Sequence, residues 1–163
     1  MAEADASTYF FMHIMKTAGT SLVSALRPNF GPDEVYPTIE GRRIVSMADY
    51  WQVKNPREAL PEAPARARLD SSRPTGARVR LYCGPLPYAV RELMGAPVVF
   101  TLVRDPVDRV ASHLRHCARH FERYEGKRLD EIYEDPWHGP CLFTNYQVKQ
   151  FALPLTDDLN AHI

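Results

Sequence analysis

The chain has 163 residues, with twenty basic and twenty acidic side chains, a formal net charge of zero and 45% hydrophobic residues. That composition suits one globular domain over residues 1–163 and argues against a disordered tail, a collagen-like repeat or a coiled coil. With no global positive field, binding of nucleic acid through bulk charge is not expected. Three cysteines, Cys83, Cys117 and Cys141, stand far apart without a CxxC pair. Neither a disulfide framework nor a zinc ribbon is signalled, and a reducing compartment follows. The first eight residues are acidic and carry no apolar run, unlike a secretory or transit leader. The longest mainly apolar stretch, residues 97–103, is too short to cross a bilayer. The expectation is a cytoplasmic protein with no membrane partner.

In chain order, the first strong segment is YFFMHI, residues 9–14, nearly continuous in apolar character. Such a run predicts a strand buried on both faces, as in a parallel sheet. MKTAGTS follows, and LVSAL at residues 22–26 predicts a helix ended by Arg27 and Pro28. From residue 28 to 76 the pattern weakens. Half of the 14 prolines lie there, and apart from a short helix around Ile44 to Trp51 the reading is loop. A second strand is predicted over residues 79–83 and a short helix over 87–94. VVFTLV, residues 98–103, is the clearest strand, with four β-branched residues and no breaker. Asp105 then suits an N-cap and Pro106 the first helical position, so a helix is predicted from there to about Tyr124. A last helix is expected over residues 142–152. Strands alternating with helices predict an α/β fold.

Two turns carry chemistry. The first is Lys16-Thr17-Ala18-Gly19-Thr20-Ser21, between strand one and its helix. Unpaired N–H groups at a helix start and the helix dipole favour an anion there. Gly19 permits close backbone approach, the hydroxyls add donors, and Lys16 adds a mobile charge. This is not GxxxxGK[ST], because the lysine precedes the glycine. A plain capped turn is the alternative. The second is Arg104-Asp-Pro-Val-Asp-Arg-Val-Ala-Ser112 at the end of the clearest strand. Ser112 lies two helical turns after the cap, on about the azimuth of Asp105, so it is expected to face the crevice that Arg104 enters. A guanidinium with a hydroxyl suits a phosphate monoester. The alternative is an arginine ion-paired to Asp105 or Asp108.

HIMKTAGTSL, residues 13–22, resembles the 5′-phosphosulfate loop of the PAPS-dependent sulfotransferases, closest to the carbohydrate branch with its HIPKTAGTS form; Met15 replaces that proline. LVRDPVDRVASHL, residues 102–114, resembles their 3′-phosphate motif, and TNYQVKQFA, residues 144–152, a later NxQxxxL helix. The resemblance implies a P-loop-like three-layer sandwich, a short central parallel sheet flanked by helices. It implies that Lys16, Thr17, Ala18, Gly19, Thr20 and Ser21 hold the 5′-phosphosulfate of PAPS (3′-phosphoadenosine 5′-phosphosulfate) and that Arg104 and Ser112 hold the 3′-phosphate. Lys16 would neutralise charge on the leaving phosphate. The activity implied is transfer of a sulfuryl group to a hydroxyl of a carbohydrate or small metabolite, with residues 28–76 as the variable substrate side. Family members continue past the NxQ helix with elements that close over the nucleotide, so the 163 residues read either as a minimal domain or as one in which that C-terminal part is missing.

The general base is where the pattern departs. Relatives carry GHxPY after the second strand; here Cys83-Gly84-Pro85-Leu86-Pro87-Tyr88 places proline at the histidine position. His13 is the nearest imidazole to the loop, with a core histidine as its other reading. Cys83 is a poor substitute without a lowered pKa. Two alternatives therefore stand beside the enzyme: a catalytically inactive relative that binds PAPS or PAP (the desulfated nucleotide), and a P-loop kinase-like phosphotransferase. His113, His116 and His120 recur along one helix beside Cys117, but interleaved arginines favour a solvated or substrate-facing basic helix, and no metal is expected.

Overall fold

The computed structural model describes residues 7–36, 66, 69, 78–136 and 138–155. Four parallel strands form one sheet: β1 (Tyr9–Met12), β2 (Val35–Tyr36), β3 (Leu81–Gly84) and β4 (Val98–Thr101), in the order β2-β3-β1-β4. The α-helices are α1 (Gly19–Leu26), α2 (Pro106–His120), α3 (Leu129–Tyr133) and α4 (Tyr146–Ala152). The register is in step at the carboxyl edge, where Met12 lies opposite both Gly84 and Thr101. His13 N–H donates to the Gly84 carbonyl at 2.8 Å and Thr101 Oγ1 to the Met12 carbonyl at 2.6 Å, which ties the three strand ends together.

Alternation along β1 divides the core. Phe10 and Met12 pack with Tyr36, Tyr82, Val90, Leu114, Cys117 and Ile132, whereas Phe11 packs with Val35, Leu81 and Cys83 beneath Leu22, Val23 and Leu26 of α1. Helices therefore cover both faces, giving three layers. Phe10, Phe11 and Met12 are fully buried, each worth roughly 1.5–3 kcal/mol of burial. The apolar run of strand one is thus the middle of the sandwich.

The α/β reading holds, with differences in detail. Asp105 caps α2 as expected: its carboxylate accepts from Val107 N–H and Asp108 N–H, both at 3.0 Å, with Pro106 in the first turn. The helix stops at His120 and a 3-10 turn, Glu122–Tyr124, follows. The loop reading of residues 28–76 missed β2, too short to show a period, which pairs Val35 with Leu81. The helix expected near Ile44 lies outside the described residues. The last helix is broken. A π-helical turn, Gly139–Phe143, precedes left-handed Asn145 (φ 51°), and α4 starts only at Tyr146. The Leu142 carbonyl there accepts a hydrogen bond from the Arg109 guanidinium, so a tertiary partner takes a group that a continuous helix would use. No helix among the described residues is long and apolar enough to cross a membrane.

Candidate functional site

The loops after β1 and β4 leave neighbouring strands at the same edge of the sheet. In the first loop, Lys16 (φ 70°) and Ala18 (φ 68°) are left-handed although neither is glycine. Left-handed residues alternating with right-handed ones turn successive N–H groups toward one side, an anion-binding concavity. Holding side-chain residues there costs of order 1 kcal/mol each and needs surrounding constraints. Thr17 supplies one. It is 4% exposed and its hydroxyl donates to the Ile14 carbonyl at 2.7 Å, so this proton braces the loop and is not offered outward. Ala18 caps α1 without a side-chain hydrogen bond, while Ser21 and Leu22 N–H both return to its carbonyl. The start of α1 therefore keeps donors for an external acceptor. Thr20 and Ser21 are exposed on this first turn.

His13 and Gly19 form one contact. A Cβ on Gly19 would stand 2.1 Å from His13 Cδ2 and 2.4 Å from Nε2. The imidazole also stacks on Phe11, with centroids 5.6 Å apart and planes at 17°. Gly19 is thus needed for the approach of this ring, while the left-handed positions fall to its neighbours. Burial, then the Lys16 charge, lowers the His13 pKa, which leaves the ring neutral at pH 7.

The second loop is held by a residue to which the sequence reading gave no role. Gln147 on α4 accepts from Arg104 N–H at 3.0 Å and donates to the Arg104 carbonyl at 2.8 Å. One side-chain amide thereby fixes the turn that presents Arg104. The guanidinium reaches Asp108 at 3.7 Å, an exposed pair worth roughly 0.3–0.5 kcal/mol. The ion-pair alternative is therefore present, but too weak to withhold Arg104 from a stronger anion. Ser112 is half-buried on α2 and its hydroxyl has no hydrogen-bond partner among the described residues.

The basic helix stays exposed at His120 and leaves His116 half-buried, but one stripe of it is closed off. Arg109, His113 and Cys117 are 1%, 2% and 0% exposed, while Arg115 and Arg119 point outward. Burial, then the Arg109 charge, drives the His113 pKa down to about 3. Lys16 also lowers the pKa values of His113 and His116, so its ammonium lies within electrostatic reach of this face of α2. Among the described residues no three His, Cys, Asp or Glu side chains gather as a metal site.

Pro85 is buried beside Cys83, whose thiol burial pushes up to about 11; it is protonated at neutral pH and cannot serve as a base. Two cavities, of about 340 and 520 Å³, are not lined by Lys16, Arg104 or Ser112, although the larger borders the Arg104 turn through Gln147. The structure thus brings the two loops to the same edge of the sheet. Comparison with protein-family models, curated proteins and solved structures returns no match.

Proposed function

We propose that the chain is a PAPS-dependent sulfotransferase acting on a hydroxyl of a carbohydrate or small metabolite. One observation carries this reading. A left-handed, uncapped, lysine-bearing turn and an arginine-bearing turn leave adjacent parallel strands in register. That spacing of cationic sites suits a nucleotide phosphorylated at two ends, and the strand–turn–helix unit is P-loop-like in its physics without the Walker sequence.

The residues present fit such a nucleotide. The N–H groups of residues 18–20 and Lys16 would hold the 5′ end; Arg104 and Ser112 would hold the 3′-phosphate. Bound PAPS supplies an activated sulfuryl group on a phosphate leaving group. Lys16 balances the negative charge that gathers at that phosphate, which is differential stabilisation of the transition state. Thr17, His13 against Gly19, and Gln147 keep both turns set before binding. Neutral His13 is the imidazole available to take the acceptor proton, although burial makes it a weak base.

Proline at position 85 and a protonated Cys83 favour a second reading, a nucleotide-binding relative without turnover. Calorimetry with PAP tests the site. Lys16→Ala and Arg104→Ala each remove a charge-assisted contact and should weaken binding by roughly 10- to 150-fold. Wild-type protein that binds neither PAP nor PAPS overturns both readings. Binding without labelled sulfate transfer to any of a panel of hydroxyl acceptors selects the second.

A further inference from the structure

The cavity of about 520 Å³ lies between the first turns of α2 and the segment from Phe143 to Val148. Its wall includes Phe143, Tyr146 and Arg109, and at its rim Val107, Val148 and Tyr133 are 76%, 64% and 48% exposed. Arg109 is the unusual member. It is 1% exposed, yet no carboxylate among the described residues lies within ion-pair distance of it. Its partners are neutral. One terminal nitrogen donates to the Leu142 carbonyl and the other faces His113 Nδ1 at 3.4 Å. Its Cζ stands 4.6 Å from the centre of the Tyr146 ring. Arginine can only donate, so His113 Nδ1 is the acceptor and the ring is uncharged. Tyr146 is buried and its pKa is raised, so it contributes no anion either.

A guanidinium has five N–H groups, and two of them are engaged. A buried cation without a counter-charge is costly, and a planar fork with donors to spare matches a carboxylate. We propose that this cavity binds an organic carboxylate with an apolar, preferably aromatic, body. The carboxylate pairs with Arg109. The body lies against Phe143 and Tyr146 and emerges between Val107 and Val148. The site adjoins the Arg104 turn through Gln147, which lines it, but its carboxylate partner is Arg109, and it does not depend on the nucleotide reading.

Phenylacetate and its uncharged isostere phenylacetamide, titrated into the full chain by calorimetry and by methyl NMR of the valines, test this. Phenylacetate should bind with a dissociation constant below about 10 mM, shifting the Val107 and Val148 resonances, and phenylacetamide should bind at least about tenfold more weakly. Val107→Trp, at an exposed rim position that leaves the core untouched, should abolish binding. Arg109→Lys keeps the charge but loses the fork and should weaken it. Saturating PAP should not compete, and a chain that binds no PAP should still take phenylacetate. Equal affinity for acid and amide, binding that survives Val107→Trp, or no binding of phenylacetate at about 10 mM overturns the proposal.

Discussion

Gly19→Ala probes the contact that seats the first loop. On helix propensity alone the change is favourable by roughly 0.5–1 kcal/mol. The structure predicts the opposite sign. The new Cβ would lie 2.1 Å from His13 Cδ2, against an ordinary carbon contact of about 3.5–4.0 Å. The ring cannot retreat, because Phe11 stacks behind it and is fully buried. Relief requires a shift of more than about an ångström in α1 or the loop, an overpacking cost of roughly 1–3 kcal/mol. For a chain of this size that is a fall of roughly 3–10 °C in Tm. The assay is a double-mutant cycle in urea with Gly19→Ala, His13→Ala and the pair. His13→Ala removes the obstacle, so Gly19→Ala should be harmless or stabilising in that background. A neutral Gly19→Ala, or effects that add within about 0.5 kcal/mol, would refute the reasoning.

Gln147→Ala should weaken PAP binding by roughly 5- to 30-fold, since two solvent-accessible hydrogen bonds worth about 0.5–1 kcal/mol each no longer fix Arg104; unchanged calorimetric affinity would show that the turn needs no clamp. His113 stays neutral in the folded protein down to about pH 3, while the unfolded chain protonates it near 6.5. The unfolded state therefore binds the extra proton between those values. Stability is flat above pH 6.5 and falls as pH drops toward 3, by up to about 1.4 kcal/mol per unit; urea unfolding of His113→Gln at pH 7.5 and 5 should show a shallower slope than wild type. Cys83 and Cys117 are buried with thiols pushed up to about 11, and Cys141 is half-buried. A chromogenic disulfide at pH 8 should label Cys141 first and the other two only on unfolding; rapid labelling of all three contradicts the packing.

Much of the frame was legible in local sequence. The apolar run at residues 9–14, the β-branched run at 98–103 and the Asp105–Pro106 cap depend on neighbours in the chain, and each forms the expected element, both strands ending two residues early. The two candidate turns follow from those strands, because a turn's position is fixed once its strand and helix are. Other features were not legible, for reasons that lie in space. A two-residue strand such as Val35–Tyr36 has no period and exists only because β3 offers it a ladder. Gly19 reads as the position where a ligand approaches the backbone, but the group that approaches is the His13 ring, while Lys16 and Ala18 adopt the left-handed conformation against their propensity.

The helix through residues 142–152 is broken by the Arg109 bond to Leu142, a contact 33 residues away in sequence. That same contact holds Arg109 in the interior, while Arg115, Arg119 and His120 of the same helix stay exposed. Sequence alone determined three of the four strands, the helices that follow the first and last of them, and where the two candidate turns lie, since periodicity and capping are local. Only the tertiary structure decided which charges are buried, which hydroxyl is already used and which amide holds Arg104, since desolvation and hydrogen-bond pairing depend on groups brought together from distant parts of the chain.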